Sequence, residues 1–520
     1  MSSVPLSDYA LMITGLQSPA AYPHPAERLT HLETHASHVF LAGNFAYKVK
    51  KPVNLGFLDF STLERRRFFC GEELRLNRRL APDTYLSVVP ITGTPEAPRV
   101  AGLGEALEYA VMMRRFPQRA LLSRRRVTPD IVDRIAERLA AFHATIAAAP
   151  ADSPYGTPDT VLSALLDTIA DLTRGPVGAA EAGRIQSLSA WLRTSFPGLR
   201  GLIEQRRRDG WVRECHGDLH RDNIAEVDGR LIIFDGIEFD PALRWIDTIN
   251  EVAFLAMDLA QAEAQPLARR FINHYLERTG DYGGVGLLDL YRVYRATVRA
   301  KVTGIRLSQP GLEANEVLHH RAEFVRYLAQ AEVYTAIHKP RLILTHGRSG
   351  SGKTHLAAIL REHLRLIHIR SDIERKRLFG LPPEARATAA AGSGIYTAEA
   401  TRRTYGRLLE LAESVLRAGY SVLVDATFLS RAQRRPFLGL ARDLGVRCTI
   451  LAIEAPDAIL RARVAKRLAE GCDASDADLS IVDAQRSQHE PLLPEETDEV
   501  IPVHTHPGAD LEALLARLGD

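Results

Sequence analysis

The stretch CHGDLHRDNIAEVDGRLIIFDG, Cys215 to Gly236, decides how the first part of this chain folds. Its two apolar runs are joined by Asp228-Gly229, a dipeptide that favours a tight hairpin turn. Such a hairpin returns Asp235, at the end of the second run, to the side of Asn223, which precedes the first run. A carboxylate at the end of a buried strand is costly unless a cation compensates it. The pattern therefore predicts a magnesium site that includes Asp235 and Asn223.

Asp218 lies five residues before Asn223, which is the D-x-x-x-x-N spacing of kinase catalytic loops. Phosphoryl transfer needs a carboxylate to orient the acceptor hydroxyl and metal ions to bridge the donor phosphates. We predict that Asp218 is the catalytic base and that Asn223 and Asp235 bind Mg²⁺. The alternatives are a hydrogen-bonded structural turn and a kinase-like fold that has lost its activity.

The segment AYKVK, further upstream, offers two candidate phosphate-binding lysines. Strand alternation puts Lys48 and Lys50 on the same face, so periodicity alone does not choose between them. Kinase-like folds place this lysine in an A-x-K pattern, which favours Lys48. The following helix supplies Glu72 and Glu73 as candidate partners.

The motifs HGDLHRDN, IIFDG, AYK and VMMRRFP together resemble those of the aminoglycoside phosphotransferase family, from Glu33 to about Tyr334. This resemblance implies a protein-kinase-like fold that phosphorylates hydroxyl groups of small molecules. It also implies that Lys48 binds ATP phosphates and that Glu73 is its partner. The segment ETHASHVF stands where protein kinases have a glycine-rich loop, and it contains no G-x-G-x-x-G pattern. Members of the aminoglycoside phosphotransferase family also often lack this pattern.

A second nucleotide motif, GRSGSGKT, runs from Gly347 to Thr354 and satisfies G-x-x-x-x-G-K-[ST]. It follows an apolar strand and opens an amphipathic helix, which is the context in which this loop binds phosphates. Lys353 is predicted to reach the terminal phosphates of ATP, and Thr354 to bind Mg²⁺. The other predicted phosphate-binding residues are Gly347, Ser349, Gly350, Ser351 and Gly352.

The acceptor side of this second site is predicted at the carboxyl ends of the next strands. Asp372 and Arg375 form a D-x-x-R arrangement, in which Asp372 orients an acceptor hydroxyl and Arg375 holds an anionic group. Asp425, at the end of SVLVD, is predicted to act on Mg²⁺ or its waters. Arg463 and Arg467 lie one turn apart on a later helix and are candidate arginines of a closing lid.

Residues from about 341 to 494 resemble the zeta-toxin, polynucleotide-kinase and gluconate-kinase-like group of P-loop kinases, with DASDAD and Gln485 adding to the likeness. Those relatives phosphorylate sugars, sugar nucleotides or polynucleotide ends. Low aromatic content and the lack of a basic stripe argue against a nucleic-acid acceptor. The arginine triplets at 65–67, 124–126 and 206–208 are predicted to be solvated helix faces.

The domain organisation follows from length and from the pattern of apolar runs. A chain of 520 residues suggests about three or four packed units. We predict a small sheet-based lobe with an N-terminal arm (1–118), a helical lobe (119–335) and a P-loop domain (336–520), whose alternating strands and helices indicate a parallel α/β sheet. The segment 387–394, ATAAAGSG, is predicted to be a mobile loop.

Bulk composition limits the compartment and the partners that we expect for this protein. The chain is 46% hydrophobic and 25% charged, and its net charge of +2 gives no general attraction to nucleic acid or an anionic membrane. Its four cysteines form no CxxC pair, and we find no export signal and no apolar run long enough to span a bilayer. We therefore expect a cytoplasmic protein without a disulfide framework, a zinc site or a membrane partner.

Taken together, these patterns predict two ATP- and Mg²⁺-dependent kinase sites that phosphorylate small molecules. One competing hypothesis is a regulatory P-loop switch with a degenerate kinase-like binding domain. Another is a toxin-like kinase acting on a nucleotide sugar, restrained by the N-terminal domain.

Overall fold

The computed structural model describes most of the chain. The exceptions are residues 1–5, 55, 57, 176, 263, 310, 384, 386–393, 471–482, 484, 487–488, 494–495, 497–498, 506–509 and 520, together with the side chains of 6 and 467–470. The predicted mobile loop therefore lies outside the described residues, except for Gly394.

The chain packs as two compact units, and the second is assembled from three separate segments. The first unit contains Met1–Thr128, Ala141–Val161 and Ile203–Asp258. The second contains Pro129–Ala140, Leu162–Leu202 and Leu259–Asp520. This division runs through the helical lobe proposed from the sequence, because the helices after residue 259 pack with the P-loop region.

The first unit begins with helix α1 (Leu6–Gly15) and a six-stranded antiparallel sheet of order β1-β2-β3-β6-β4-β5. Its strands are β1 (Leu29–Glu33), β2 (Ser37–Ala42), β3 (Phe45–Lys50), β4 (Tyr85–Thr94), β5 (Ala97–Val100) and β6 (Glu108–Arg114). The β2–β3 turn contains Gly43 at φ +56°, a conformation that glycine adopts without steric cost. Side chains alternate along β3, so Tyr47 and Val49 point into the core and the two lysines lie on the other face. Tyr47 is paired with Phe40 of β2.

Helix α2 (Leu63–Asn77) packs against this sheet, where Cys70 joins Val111 in a small apolar cluster. Thr62 caps its N-terminus by accepting a hydrogen bond from the backbone N–H of Arg65. The prediction of solvated arginine triplets is wrong for Arg66, which is 1% exposed and pairs with Glu108 at 2.7 Å.

The same correction applies to Arg206, which is buried and donates to both carboxylate oxygens of Asp247 at 2.7 and 2.8 Å. A guanidinium that enters a core needs such a bidentate partner, and sequence periodicity does not show where the partner lies. The residues 124–126 are exposed, as the sequence predicts.

The hairpin predicted around Asp228-Gly229 is present as β8 (Ile224–Val227) and β9 (Arg230–Ile233). Asp228 and Gly229 both have positive φ, at +48° and +74°, as a type I′ turn requires. A second small antiparallel pair is formed by β7 (Val212–Glu214) and β10 (Trp245–Asp247).

The remaining segments up to residue 333 are mainly helical. These helices are α3 (Pro129–Thr145), α4 (Pro158–Arg174), α5 (Ala179–Arg208), α6 (Pro241–Arg244), α7 (Thr248–Gln261), α8 (Gln265–Thr279), α9 (Val285–Leu307) and α10 (Ala314–Val333). No helix among the described residues is long and apolar enough to cross a membrane.

The second unit contains a five-stranded parallel sheet of order β12-β13-β11-β14-β15. Its strands are β11 (Arg341–His346), β12 (Leu366–Arg370), β13 (Ser421–Asp425), β14 (Arg447–Glu454) and β15 (Glu499–His504). Their connecting and terminal helices are α11 (Lys353–His363), α12 (Ser371–Leu378), α13 (Ala398–Arg417), α14 (Arg431–Leu444), α15 (Asp457–Glu470) and α16 (Leu511–Leu518).

This parallel sheet is buried on both faces, as its near-continuous apolar strands predict. Ile343, Leu423 and Leu451 of the sheet join Leu356 and Leu360 of α11 in one core cluster. The order places the carboxyl ends of β11 and β13 side by side, where open α/β sheets bind ligands. The fold class predicted from the sequence is confirmed: a protein-kinase-like part is followed by a P-loop α/β domain.

Candidate active sites

The lysines of β3 share one buried glutamate on α2. Lys48 Nζ lies 2.9 Å from Glu73 Oε1, and Lys50 Nζ lies 2.7 Å from Glu73 Oε2. Lys48 also donates to Asp235 Oδ1 at 2.6 Å, whereas Lys50 pairs with Glu238. The Lys50 side chain is fully buried, while that of Lys48 is 14% exposed. Of the two lysines, Lys48 is therefore the one that keeps access to solvent.

Charge pairing holds this cluster in its ionised form. Burial alone would lower the pKa of Lys48, but Asp235 and Glu73 outweigh it and raise this pKa well above its ordinary value. Burial alone would raise the pKa of Glu73, yet Lys48 and Lys50 lower it to about 2. The glutamate is thus a fixed negative charge that orients both ammonium groups.

Asp235 is presented by a strained turn directly after β9. Its φ of +61° is uncommon for a residue other than glycine and is characteristic of functional sites. Three hydrogen bonds hold the backbone around it: from Phe234 N–H to the Asn223 carbonyl at 3.0 Å, from Asp235 N–H to Tyr85 Oη at 3.1 Å, and from Gly236 N–H to Asn77 Oδ1 at 2.8 Å. Its side chain remains 45% exposed.

The loop before β8 brings Asp218 and Asn223 together. The Asn223 amide donates to the carbonyl of Asp218 at 2.9 Å and to its Oδ2 at 3.0 Å. His220 Nε2 lies 3.3 Å from the same Oδ2. Because the amide nitrogen is used on Asp218, the carbonyl oxygen of Asn223 is the atom left for a metal ion.

Two acids on α7 anchor this loop, and the sequence reading did not select them. Glu251 accepts from Gly217 N–H at 2.7 Å and contacts His143 Nε2 at 2.8 Å. Asp258 Oδ2 accepts from both N–H and Nε–H of Arg221 at 2.9 Å. Their spacing of seven residues on an otherwise apolar helix is the signal that would have found them.

The second site is built around the P-loop between β11 and α11. Gly347, Gly350 and Gly352 all have positive φ. A Cβ on Gly347 would lie 2.4 Å from the carbonyl oxygen of Ile453, and one on Gly350 would lie 2.8 Å from that of Leu460. Gly347 and Gly350 are therefore required by close backbone packing as well as by loop conformation, and Gly352 by its loop conformation.

Polar side chains form hydrogen bonds at the end of the P-loop, where α11 begins. Thr354 Oγ1 donates to Asp425 Oδ2 at 2.7 Å, and Lys353 Nζ donates to the carbonyl of Arg348 at 2.9 Å. His368 Nε2, from the neighbouring strand β12, lies 3.4 Å from the same oxygen of Asp425. Burial alone would raise the pKa of Asp425, but the hydrogen bond from His368 and the charge of Lys353 lower it to about 2.

A cavity of about 1000 Å³ extends from the P-loop over the ends of β12 and β13. Asp372 and Arg375 of α12 line it, as do Lys353, Thr354 and Asp425. Arg375 is buried, donates to the Ile395 carbonyl at 2.8 Å and lies 5.2 Å from the Tyr396 ring. The far wall is partly apolar, with Tyr396, Tyr405, Leu409, Pro436 and Phe437.

The remaining predicted residues lie around the P-loop. Arg463 lines the cavity and donates to the Thr505 carbonyl at 2.9 Å and to Thr505 Oγ1 at 3.0 Å, which anchors it behind the loop. The side chain of Arg467 lies outside the described residues. Gln485 accepts from Ser349 N–H at 2.8 Å and donates to Ser349 Oγ at 3.1 Å.

Both sites offer the hard oxygen ligands that Mg²⁺ prefers. In the first unit these are the amide oxygen of Asn223 and the carboxylate of Asp235. At the P-loop they are the hydroxyl of Thr354 and the carboxylate of Asp425, which already lie 2.7 Å apart. The donor chemistry of each group of residues therefore fits the metal predicted for it.

Comparison with known proteins gives one family match and several relatives. The AAA domain family matches residues 342–492. Uncharacterised proteins of Mycobacterium tuberculosis, including Rv2004c of strain H37Rv, and of Mycobacterium bovis are 32% identical to the chain over 416 residues. The aligned region covers 79% of this chain and 80% of each relative. The chain belongs to the family of these mycobacterial proteins.

Two solved structures illustrate the range of similar proteins. A choline/ethanolamine kinase family protein from Mesorhizobium loti is 14% identical, with a TM-score of 0.34, and the match covers 63% of this chain and 99% of that one. A gluconokinase from Sinorhizobium meliloti 1021 is 21% identical, with a TM-score of 0.25, and the match covers 35% and 94%.

The AAA domain match and the phosphate-handling residues of the P-loop region together support a phosphotransferase.

Proposed function

We propose that this chain is an ATP-dependent phosphotransferase with two nucleotide sites, each transferring a γ-phosphate to a hydroxyl group of a small molecule. The observation that carries the proposal is the Thr354–Asp425 pair at the P-loop, which opens into a cavity that also holds Asp372 and Arg375. A nucleotide-binding module that transfers nothing has no need of an acceptor side of this kind.

At the first site, Lys48 holds the donor phosphates of ATP, and Glu73 keeps its ammonium group in place. Asp218 orients the acceptor hydroxyl and accepts its proton, with its own carboxylate held by the Asn223 amide. Asn223 and Asp235 are the residues that would hold Mg²⁺, which would supply positive charge to the donor phosphates. When ATP binds, Lys48 exchanges its contact with Asp235 for phosphate oxygens.

At the second site, the amide groups of the P-loop and the N-terminus of α11 hold the donor phosphates. Lys353 leaves the Arg348 carbonyl to reach the terminal phosphates, while Thr354 and Asp425 would hold the metal ion. Asp372 orients the acceptor hydroxyl, and Arg375 binds an anionic group of the acceptor or the phosphate in transfer. We assign Arg463 to anchoring of the P-loop rather than to lid closure, because of its bonds to Thr505.

The acceptors are small metabolites such as sugars or aminoglycoside-like compounds, and the two sites act on one metabolite in succession. The expected setting is the cytoplasm, where ATP is abundant. A nucleic-acid acceptor is disfavoured by the low aromatic content of the chain, 7%.

The direct test is transfer of labelled γ-phosphate from ATP into a bacterial small-metabolite extract. Wild type is compared with Asp218→Asn, which disables the first site, and with Lys353→Ala, which disables the second. We expect each substitution to remove a distinct labelled product, or Asp218→Asn to stop the sequence at a singly phosphorylated compound.

Two other results would count against the proposal. If only Lys353→Ala changes the labelled products, the kinase-like part is a binding module and the proposed roles of Asp218, Asn223 and Asp235 are wrong. If neither substitution changes them, the chain is not a small-molecule kinase under these conditions and the proposal fails.

A further inference from the structure

A helix that the sequence assigns to the kinase-like part reaches the edge of the P-loop sheet. Strand β12 is an edge strand, so one side of its backbone has no strand partner. Asn273 of α8 is 2% exposed and makes two hydrogen bonds to this side of the strand. Its amide donates to the Leu366 carbonyl at 3.1 Å, and its carbonyl oxygen accepts from His368 N–H at 2.7 Å.

The contact with Asn273 holds His368, and His368 touches Asp425, the carboxylate proposed to bind the metal ion. His368 is 1% exposed, and its Nε2 lies 3.4 Å from Asp425 Oδ2. Its other ring nitrogen, Nδ1, has no hydrogen-bond partner among the described residues. The arrangement fits a neutral imidazole that carries its proton on Nε2 and donates it to Asp425.

Asp425 in turn accepts from the P-loop hydroxyl, Thr354 Oγ1, at 2.7 Å. A continuous series of contacts therefore runs from Asn273 through His368 and Asp425 to Thr354. Each of these side chains except Thr354 is more than nine-tenths buried, so the series has little freedom to rearrange.

A second contact from α8 holds the same strand and the helix of the P-loop. Glu277 lies 3.2 Å from Arg370, at the end of β12, and 3.6 Å from Arg361 of α11. Arg370 stands two residues before Asp372. Helix α8 thus fixes both ends of β12 next to the second site.

We propose that His368 is a positioning residue for Asp425, and that Asn273 of α8 extends the P-loop phosphotransfer site into the kinase-like part of the chain. This inference rests on the proposed function of the P-loop site. His368 orients the Asp425 carboxylate through its hydrogen bond. Asn273 holds β12 in the position from which His368 makes that bond. Neither residue lines the cavity at the P-loop.

Such outer contacts determine how tightly a site binds its metal, and their loss typically costs about 10- to 100-fold in metal affinity. The measurement is the affinity of the full-length chain for Mn²⁺ in the presence of AMP-PNP, followed by electron paramagnetic resonance. An Asp218→Asn and Asp235→Asn background removes the metal site of the first unit from the signal, and no acceptor needs to be known.

His368→Leu removes the donor, whereas His368→Gln keeps an N–H group near the position of Nε2. We expect His368→Leu to weaken Mn²⁺ binding by about 10-fold or more, and His368→Gln to restore binding to within about 3-fold of the background protein. Asn273→Leu should weaken it in the same direction. His274→Ala is the matched control, because His274 lies on the same helix but contacts Glu137 instead of the sheet.

Unchanged Mn²⁺ affinity in His368→Leu overturns the inference, as does a His368→Gln variant as defective as His368→Leu. If Asn273→Leu lowers the melting temperature but leaves Mn²⁺ affinity unchanged, Asn273 only covers the strand edge and its part of the proposal is wrong. Lys353→Ala distinguishes failure of this inference from failure of the proposed function. If Lys353→Ala leaves AMP-PNP-dependent Mn²⁺ binding intact, the proposed function of the P-loop itself has failed.

Discussion

At the scale of single residues, the two lysines of β3 show how exposure separates roles that sequence spacing cannot. Both contact Glu73, but only Lys48 also contacts Asp235 and keeps some access to solvent. Lys50 is sealed between Glu73 and Glu238. This exposure supports the phosphate-binding role proposed for Lys48, whereas Lys50 balances the charge of the two buried glutamates.

This difference predicts opposite phenotypes for matched substitutions. Lys48→Met should abolish transfer at the first site with a small change in melting temperature, because Lys50 still neutralises Glu73. Lys50→Met leaves the buried Glu238 without its paired cation and Glu73 with Lys48 alone, and should destabilise the fold by about 3–5 kcal/mol. Thermal unfolding and labelled-phosphate transfer, measured on both variants, check the prediction; equal melting temperatures would contradict it.

The low pKa of Glu73 also predicts a pH dependence of stability. Its pKa is lowered from 4.5 to about 2 in the folded chain, so its ionised form stabilises the fold fully above about pH 4.5. That contribution is lost as the pH falls toward 2. The free energy of unfolding of wild type, relative to that of Glu73→Gln, should therefore shrink between pH 6 and pH 3 in urea titrations. A constant difference would show that the charge of Glu73 does not stabilise the fold.

Much of the first site could be predicted at this scale, because its motifs combine fixed spacing with turn chemistry. The Asp228-Gly229 turn predicts the hairpin that delivers Asp235, and the A-x-K pattern favours Lys48. The buried state of Arg66 and Arg206 could not be predicted, because it depends on Glu108 and Asp247, which lie about forty residues away in each case. A periodicity argument contains no information about such distant partners.

At the scale of secondary-structure elements, helix α7 holds the loop that carries Asp218. Glu251 accepts the backbone N–H of Gly217, and Asp258 accepts two hydrogen bonds from Arg221. The loop is therefore fixed on both sides of Asp218 by carboxylates from one rigid helix. Rigid support of this kind keeps a catalytic group within the narrow range of positions that transfer requires.

Asp258→Ala should lower the turnover number of the first site by up to about 100-fold, because small displacements of a catalytic group are costly. Asp258→Asn, which keeps one acceptor oxygen, should lose much less. Transfer at the P-loop site provides the internal control and should stay unchanged. Equal loss in both variants would mean that the charge of Asp258, rather than its hydrogen bonds, supports the loop.

The strands and helices of the P-loop domain could be predicted from the pattern of apolar residues. Five apolar runs alternate with amphipathic helices, and each run corresponds to a strand of the parallel sheet. The contact of Asn273 with β12 was not predictable, because a single polar residue on a helix gives no indication of which sheet edge it meets.

At the scale of the whole molecule, the second compact unit contains more than the P-loop domain proposed from the sequence. Helices α8 and α9 belong to it. Asp289 of α9 contacts Arg365 and Tyr420, and Glu277 of α8 contacts Arg361 and Arg370. A P-loop fragment cut at residue 336 would expose these partners and one edge of its sheet.

Residues 336–520 expressed alone should therefore be less stable than residues 259–520. We expect a lower melting temperature and a greater tendency to aggregate, since the edge of β12 loses Asn273 and the arginines lose Glu277 and Asp289. Calorimetry and size-exclusion chromatography of the two fragments check this. Equal stability would show that α8 and α9 do not support the sheet.

This result also bears on the toxin hypothesis. That hypothesis predicts growth arrest when the P-loop domain is expressed without the N-terminal domain. Harmless expression of residues 336–520 would count against it only if that fragment is folded, so residues 259–520 are the more suitable fragment for this test.

The central claim is that one chain carries two separate nucleotide sites, and the binding stoichiometry of AMP-PNP tests it most directly. Equilibrium dialysis with Mg²⁺ present would count the bound nucleotide for wild type, Lys48→Met and Lys353→Ala. We predict two molecules per wild-type chain and one for each variant. One molecule per wild-type chain, lost entirely in Lys353→Ala and retained in Lys48→Met, would contradict the account.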